Sequence, residues 1–407
     1  MTKSIYQELK KQNQTARTEV EKTRPAPEEF LGLMRPGNLG KYSLIDIYRM
    51  GTFMWTKIAM SVILVAAEEL GWEKYINLLG KYQKPAQKAR IEMLSKKYNI
   101  PDTYAGYALM AHAWAKGCMF DVARHGGRTF LSDTATSMCN DRCPQLEALR
   151  EMDLQTLKEC PNLFKWCDAY DNLFLSHIND HCWYSHVSCL CEEDRNWCIS
   201  YMRDTCEPVK EETFYQAITN MNTAAREHID ELIPSPDDGL FPFTWRNVED
   251  VDMTAIAKDG PLTKGGIAVE SLLCAVKGMG WERFINLCTE KLDKGYYKAA
   301  QDARDWSGVN GRGVNAAIFA LTSAMFAMDF EDHILSNFDK DHGEITAPRC
   351  KMIDVVKKLG LEELGEDMCL WCDFYFNHTV KIVNPEISVH FTHCPGKGDG
   401  FCRAVIE

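Results

Sequence analysis

An internal repeat with a long, constant offset constrains this chain most. Trp166-Cys167-Asp168 recurs as Trp371-Cys372-Asp373, and Cys189 recurs as Cys394, all at an offset of 205 residues. Solenoid proteins repeat about every 20–50 residues, and a period this long lies far outside that range. The sequence therefore predicts two homologous domains in tandem.

The periodicity of apolar residues predicts helices in the first part of each repeat. From Met54 to Leu70 an apolar residue recurs every four positions, which is typical of a helix with one buried face, and Gly71 is expected to end it. Because proline is tolerated in the first turn of a helix, we expect a further helix over Pro85–Lys97 that Pro85 opens.

The end of each repeat has a different pattern. Phe391-Thr392-His393-Cys394 and the run from Phe401 to Ile406 flank a glycine-rich turn, which predicts a β-hairpin. Each domain is therefore expected to be α+β, with helices first and a small antiparallel sheet last.

Prolines indicate where the domains begin and end. Residues 1–45 contain Pro25, Pro27 and Pro36, so we expect an N-terminal arm that packs over one domain. The segment from Pro234 to Gly239 is the strongest linker signal in the chain. The predicted organisation is an arm over 1–45, a first repeat over 46–233, a linker over 234–246 and a second repeat over 247–407.

Composition limits the class of protein. The 407 residues are 45% hydrophobic and 26% charged, which is ordinary for a soluble globular protein. A net charge of −12 would repel phosphate backbones, which argues against a nucleic-acid partner. The apolar runs are shorter than the roughly 20 residues that span a bilayer, and the N-terminal residues lack the apolar core of a secretory signal. We expect a cytoplasmic protein without a membrane partner; assembly as a homo-oligomer stays open.

The cysteine content points to thiol chemistry. Seventeen cysteines in a chain without a secretory signal favour reduced thiols, some of them ligands or nucleophiles, over a disulfide scaffold, and they would suit an anaerobic cell. Thiolate and imidazole are ligands that zinc prefers, so Cys372, His393, Cys394 and Cys402 form a candidate metal site. If all four bind, the site is structural; the other interpretation is that these cysteines only pack in the core.

The order of short motifs in the second repeat resembles the L-2-amino-thiazoline-4-carboxylic acid hydrolase family. The motifs are Arg349-Cys350, the helical Cys372, Asn384-Pro385 and the closing run from Gly398 to Cys402. The first repeat has the family's Cys-Pro form at Cys143, whereas the second has Cys350-Lys351 and departs from it. The final hairpin also resembles the zinc-holding hairpin of 4-vinyl reductase-type sensor domains.

The resemblance implies a hydrolase that opens a C–N bond in a small polar substrate, such as a cyclic amidine or amide. One scheme uses a zinc-bound water, and the other uses Cys350 as a thiolate nucleophile with His378 or His390 as base. Asp373 and Asp399 are the nearest carboxylates for proton transfer. Two other classes stay open: a metal- or ligand-binding sensor-like module without catalysis, and an iron–sulfur redox protein.

Overall fold

The computed structural model describes residues 4–23, 42–98, 128–131, 135–140, 142–175, 182–193, 195–204, 213–227, 253–328, 334–338 and 341–407. The chain divides into two compact units. Unit 1 comprises Met1–Val65, Glu151–Leu154 and Pro261–Glu407, and unit 2 comprises Ala66–Arg150 and Gln155–Gly260. The predicted linker over 234–246 lies outside the described residues, so the predicted domain boundaries stay a prediction.

The described helices and strands follow one another in this order: α1 (Ile5–Thr23), α2 (Leu44–Leu70), α3 (Trp72–Tyr98), β1 (Arg128–Leu131), β2 (Ala135–Asn140), α4 (Pro144–Glu151), α5 (Phe164–Leu175), β3 (Cys182–Ser188), β4 (Cys198–Asp204), α6 (Phe214–Glu227), α7 (Met253–Met279), α8 (Trp281–Ser307), α9 (Val314–Ala327), β5 (Ile334–Phe338), β6 (Gly343–Ala347), α10 (Lys351–Lys358), α11 (Met368–Val383), β7 (Val389–His393) and β8 (Cys402–Ile406).

The predicted α+β class is confirmed. Each unit contains one four-stranded antiparallel sheet, with the strand order β1-β2-β4-β3 in unit 2 and β5-β6-β8-β7 in unit 1. Strands β7 and β8 form the hairpin that the sequence predicts around the glycine-rich turn. Because β3 and β7 pair with one strand each in the described part of the chain, both lie at the edge of their sheet.

The prediction that Pro85 opens a separate helix is wrong. Helix α3 runs without a break from Trp72 to Tyr98, and Pro85 lies inside it. The side chains around the proline are fully buried, with Gln83, Ala86 and Gln87 at 0% exposure. Packing of this stretch in unit 2 therefore outweighs the hydrogen bond that a proline inside a helix removes.

Helix α2 is apolar over most of its length. Among the described helices it is the one long and apolar enough to cross a membrane, over Ile45–Leu70, but 83% of its most apolar window is buried in the protein. The buried core helix of a soluble protein passes the same test, so this is weak evidence for a span.

Helix α1 packs in unit 1 against α8, α11 and β7. Tyr6, Asn13, Ala16 and Val20 are buried along its inner face. At its N-terminus the backbone N–H of Tyr6 donates to Asn286 Oδ1 at 3.2 Å. Residues of the predicted N-terminal arm thus complete the core of unit 1.

Helix α6 makes the corresponding contacts in unit 2. It packs against α3, α5 and β3, and it buries Ala217, Ile218, Met221, Asn222 and Ala225. The N–H of Tyr215 donates to Asn77 Oδ1 at 3.0 Å, as Tyr6 does to Asn286. Each unit therefore has a helix laid against the edge strand of its sheet.

Candidate active site

In unit 1, side chains rather than a further strand bind the backbone N–H and carbonyl groups at the outer edge of β7. Asn377 on α11 accepts a hydrogen bond from the N–H of Val389 at 3.1 Å and donates to its carbonyl at 2.8 Å. Asp373 Oδ1 accepts from the N–H of Phe391 at 2.5 Å, and Asn13 on α1 donates to the carbonyl of Phe391 at 3.0 Å. Because these backbone groups are already hydrogen-bonded, the edge strand offers no free donor or acceptor to another chain at these positions.

Asn13 also fixes the carboxylate of Asp373. Its Nδ2 donates to Asp373 Oδ2 at 2.8 Å, and Lys397 donates to Asn13 Oδ1 at 3.0 Å. Asp373 itself is fully buried at 0% exposure. The predicted catalytic carboxylate is thus held by one backbone donor and one amide donor.

Unit 2 repeats these strand-edge hydrogen bonds at the matching positions. Asn172 bonds both backbone groups of Tyr184, Asp168 Oδ1 accepts from the N–H of His186 at 2.6 Å, and Asn222 on α6 donates to Asp168 Oδ2 at 2.6 Å. The difference lies in the histidine, since His186 Nδ1 lies 2.8 Å from Asp168 Oδ1. Burial raises the pKa of Asp168, although the bond to His186 opposes this.

An arginine on each edge-strand helix orders the turn after that strand. Arg17 donates from Nη1 and Nη2 to both oxygens of Asp399 at 3.0 and 2.9 Å, and Asp399 accepts from the N–H of Cys394 at 2.8 Å. In unit 2, Arg226 binds Glu192, which accepts from the N–H of Cys189. Asp399 therefore has a structural role, in which it links Arg17 to the turn after β7, besides the predicted catalytic one. Burial acts to raise the pKa of Asp399, but these donors hold it below its usual range.

Acid is expected to weaken unit 1 through Asp399. Because its pKa is lower in the folded state than the value of about 3.9 in an unfolded chain, the unfolded state binds more protons. The stability from the pair is complete above that value and is lost as the pH falls through the folded pKa. In Arg17→Met, the fall in the free energy of unfolding between about pH 5 and pH 3 should be about 1 kcal/mol smaller than in wild type. Urea unfolding at each pH measures it, and equal slopes would contradict the assignment.

Four cysteines of the second repeat gather beside the final hairpin. We call Cys350, Cys372, Cys394 and Cys402 the thiol cluster. Cys350 lies at the N-cap of α10 and exchanges hydrogen bonds with the thiols of Cys394 and Cys402, and Cys372 interacts with Cys350 and Cys394. In unit 2 the cysteines at the matching positions also interact with one another: Cys143, Cys167, Cys189 and Cys198.

The thiol cluster is held in its neutral form. A hydrogen bond with Cys394 acts to lower the pKa of Cys350, but the bond to Cys402 and burial outweigh it and raise that pKa to about 12. Burial raises the pKa of Cys372 well above its usual value. Since the thiolate is the nucleophilic form of cysteine, this environment does not activate Cys350 at neutral pH.

The other predicted metal and base residues lie in different surroundings. His393 stacks on Phe401 at 5.1 Å, and its Nδ1 lies 3.0 Å from Thr392 Oγ1. His378 faces α8, with its Nε2 at 3.0 Å from Asp293 Oδ1 and its Nδ1 at 2.9 Å from a backbone carbonyl. Within the described residues, no three or more His, Cys, Asp or Glu side chains are arranged to hold a metal ion.

His390 is the predicted base that lies beside the predicted carboxylate. Its Nδ1 is 3.6 Å from Asp373 Oδ2, and its Nε2 is 3.2 Å from Ser388 Oγ. His390 is buried at 8% exposure and lines a cavity of about 500 Å³ together with Glu407 and residues of α1. Of the four predicted catalytic residues, His390 and Asp373 thus lie next to each other, and His390 also lines the cavity.

Unit 1 is therefore an α+β unit with a buried carboxylate–imidazole pair and a cluster of neutral thiols. Residues 265–405 match the family model of L-2-amino-thiazoline-4-carboxylic acid hydrolase, which confirms the family resemblance for this part of the chain. No curated protein and no solved structure matches the chain.

Proposed function

We propose that the chain is a hydrolase that opens a C–N bond of a small polar substrate, a cyclic amidine or an amide, and that unit 1 carries the reaction. The observation that carries this proposal is the family match over residues 265–405, which include both Asp373 and His390. These two side chains lie 3.6 Å apart, and His390 lines a cavity, which supports the assignment of the active site to unit 1.

His390 is the proton carrier in this proposal. A neutral imidazole takes a proton from the attacking group and then delivers it to the nitrogen that leaves. Asp373 orients the ring and stabilises the imidazolium that forms, because its carboxylate is held by the N–H of Phe391 and by Asn13. Hydrolysis then consumes one water for each C–N bond broken.

Zinc on Cys372, His393, Cys394 and Cys402 stays a prediction. His393 contacts Phe401 and Thr392, and the described residues hold no assembled metal-ligand group, so these four do not fit the ion as they stand. No step of the reaction is assigned to a metal. Elemental analysis of the purified protein, with Cys402→Ser as the comparison, tests the prediction directly.

Ring opening is the assay that tests the proposed function. The purified chain is incubated with 2-amino-thiazoline-4-carboxylic acid, with other cyclic amidines and with ring-strained amides, and the products are followed by mass spectrometry. We expect turnover of at least one class and a loss of about 100-fold or more in kcat/KM for His390→Gln.

The matched control is His186→Gln, which removes the imidazole beside Asp168 in unit 2. It should keep kcat/KM within about threefold of wild type at a temperature where both variants are folded by circular dichroism. Absence of turnover for every class would contradict the hydrolase, whereas an equal loss in both variants would contradict the assignment to unit 1.

A further inference from the structure

A serine completes the arrangement around His390. Ser388 Oγ lies 3.2 Å from His390 Nε2, and His390 Nδ1 lies 3.6 Å from Asp373 Oδ2. The imidazole therefore stands between a hydroxyl and a carboxylate, with a different ring nitrogen facing each. This order of groups is the one by which a histidine activates a serine.

The fold explains why these side chains meet. Ser388 directly precedes β7, and its backbone is paired with that of Glu407 by two hydrogen bonds. Residues two apart along an extended strand point to the same side, so Ser388 and His390 share a face while the intervening Val389 is fully buried at 0% exposure. Asp373 on α11 accepts from the N–H of Phe391 at the strand edge and lies 3.6 Å from the ring of His390.

The groups on either side of the ring favour one tautomer. A carboxylate only accepts hydrogen bonds, so a hydrogen bond between His390 and Asp373 requires the proton on Nδ1. In that tautomer Nε2 is free to accept from Ser388. His390 Nδ1 has no partner within hydrogen-bond distance although it is buried, so a small rotation of the ring toward Asp373 would close the contact.

Space for a substrate adjoins the two residues that are bonded to Ser388. His390 and Glu407, the two residues bonded to Ser388, both line the cavity of about 500 Å³. The lining on α1 carries Glu8, Lys11 and Glu19, so with Glu407 it has three carboxylates and one ammonium group. A mainly acidic lining suits a small polar molecule that carries a cationic nitrogen.

Unit 2 offers a natural comparison. At the offset of 205 residues, Ser388 corresponds to Trp183 and His390 to Ser185. The imidazole next to Asp168 is His186, and its Nε2 lies 3.9 Å from Asp171 Oδ2 instead of facing a serine. The pair Ser388–His390 therefore has no counterpart at the matching described positions of unit 2, although both units keep the buried aspartate.

We propose that Ser388 is the nucleophile of unit 1, activated by His390 and Asp373, in the C–N hydrolysis proposed above, on which this inference rests. Ser388 Oγ bonds to the electrophilic carbon while its proton moves to His390 Nε2. The C–N bond then breaks, and the proton passes from His390 to the departing nitrogen, which leaves the carbon esterified to Ser388. A water adds to that carbon, its proton passes through His390 to Ser388 Oγ, and the Ser388–carbon bond breaks.

Variants at Ser388 test this step. Ser388 is half-buried beside the strand, so Ser388→Ala removes one oxygen at little cost to folding. We expect kcat/KM to fall about 1,000-fold with the melting temperature nearly unchanged. Ser43→Ala removes an exposed hydroxyl of the same unit that accepts from the N–H of Asp46 at the start of α2. It should therefore lower the melting temperature slightly but leave kcat/KM within about twofold. Retention of activity in Ser388→Ala, with turnover present in wild type, would overturn Ser388 and leave the hydrolase intact.

Covalent labelling provides a readout that needs no substrate. Phenylmethanesulfonyl fluoride should add one sulfonyl group to the folded full-length chain, located at Ser388 by peptide mass spectrometry. His390→Gln should slow the labelling about 100-fold, and Ser43→Ala should not change it. Labelling of Ser388 without turnover of any amidine or amide would support the activated serine and reject the proposed substrate class. Equal labelling rates in His390→Gln and wild type, or a label at other residues alone, would overturn the proposal.

Discussion

Replacing Asn377 by leucine is expected to lower the free energy of unfolding by about 3 kcal/mol or more. The amide donates to the carbonyls of Asp373 and Val389 at 2.7 and 2.8 Å and accepts from the N–H of Val389. Leucine has a similar volume but makes none of these bonds, so the buried N–H of Val389 loses its partner. Urea unfolding of the variant and of wild type measures the loss.

The repeat supplies a matched second site. Asn172→Leu removes the same three bonds from unit 2, including both to Tyr184. We expect a similar loss, with faster amide hydrogen exchange at Tyr184 and not at Val389, and the reverse pattern in Asn377→Leu. A loss below about 1 kcal/mol in both variants would mean that water replaces the amide at the strand edge.

Replacing Gly396 by alanine is expected to cost about 3 kcal/mol. A Cβ at this position would overlap the carbonyl of Gly365 and would come within 2.8 Å of Ile353 Cδ1. The backbone of Gly365 cannot move freely, since its N–H donates to the carbonyl of Glu362 at 3.0 Å. The turn must therefore shift, and with it Cys394, which accepts a hydrogen bond from the N–H of Gly396.

Gly400→Ala is the control in the same turn. A Cβ there would meet no atom within 4 Å, so the change in stability should stay within about 0.5 kcal/mol. Thermal unfolding of the two variants side by side makes the comparison. If both lose the same stability, the effect comes from flexibility of the turn and not from the contact with Gly365.

The sequence predicts those features of the fold that depend on neighbouring residues. Apolar periodicity and the glycine-rich turn predict the α+β class and the final hairpin, and both are confirmed. The repeat predicts that cysteines group in the same way in each unit, because two repeats with the same cysteine spacing and the same fold bring those cysteines to the same places. The repeat does not predict what Asp373 and Asn377 contact, since their hydrogen bonds to the edge strand depend on how α11 lies against β7.

The residues that sequence reasoning missed are Asn13, Arg17 and Ser388. A signal for the first two exists, because Ser4-Ile5-Tyr6-Gln7 recurs as Thr213-Phe214-Tyr215-Gln216 at an offset of 209 residues, and Asn222 and Arg226 follow at the same offset. This recurrence is a weak signal by itself, since asparagine, arginine and glutamine are common in polar helices. Ser388 has no signal of this kind, because a serine two residues before a histidine acquires meaning only when both lie on one strand.

The placement of α1 has a consequence for synthesis of the chain. Asn13 leaves the ribosome 360 residues before its partner Asp373, whereas Asp168 precedes Asn222 by 54 residues. At translation rates of about 5–20 residues per second, the strand that covers the inner face of α1 is synthesised on the order of tens of seconds after α1. Unit 2 can close early, but unit 1 closes last, so nascent chains stalled before β7 would expose α1 to chaperones.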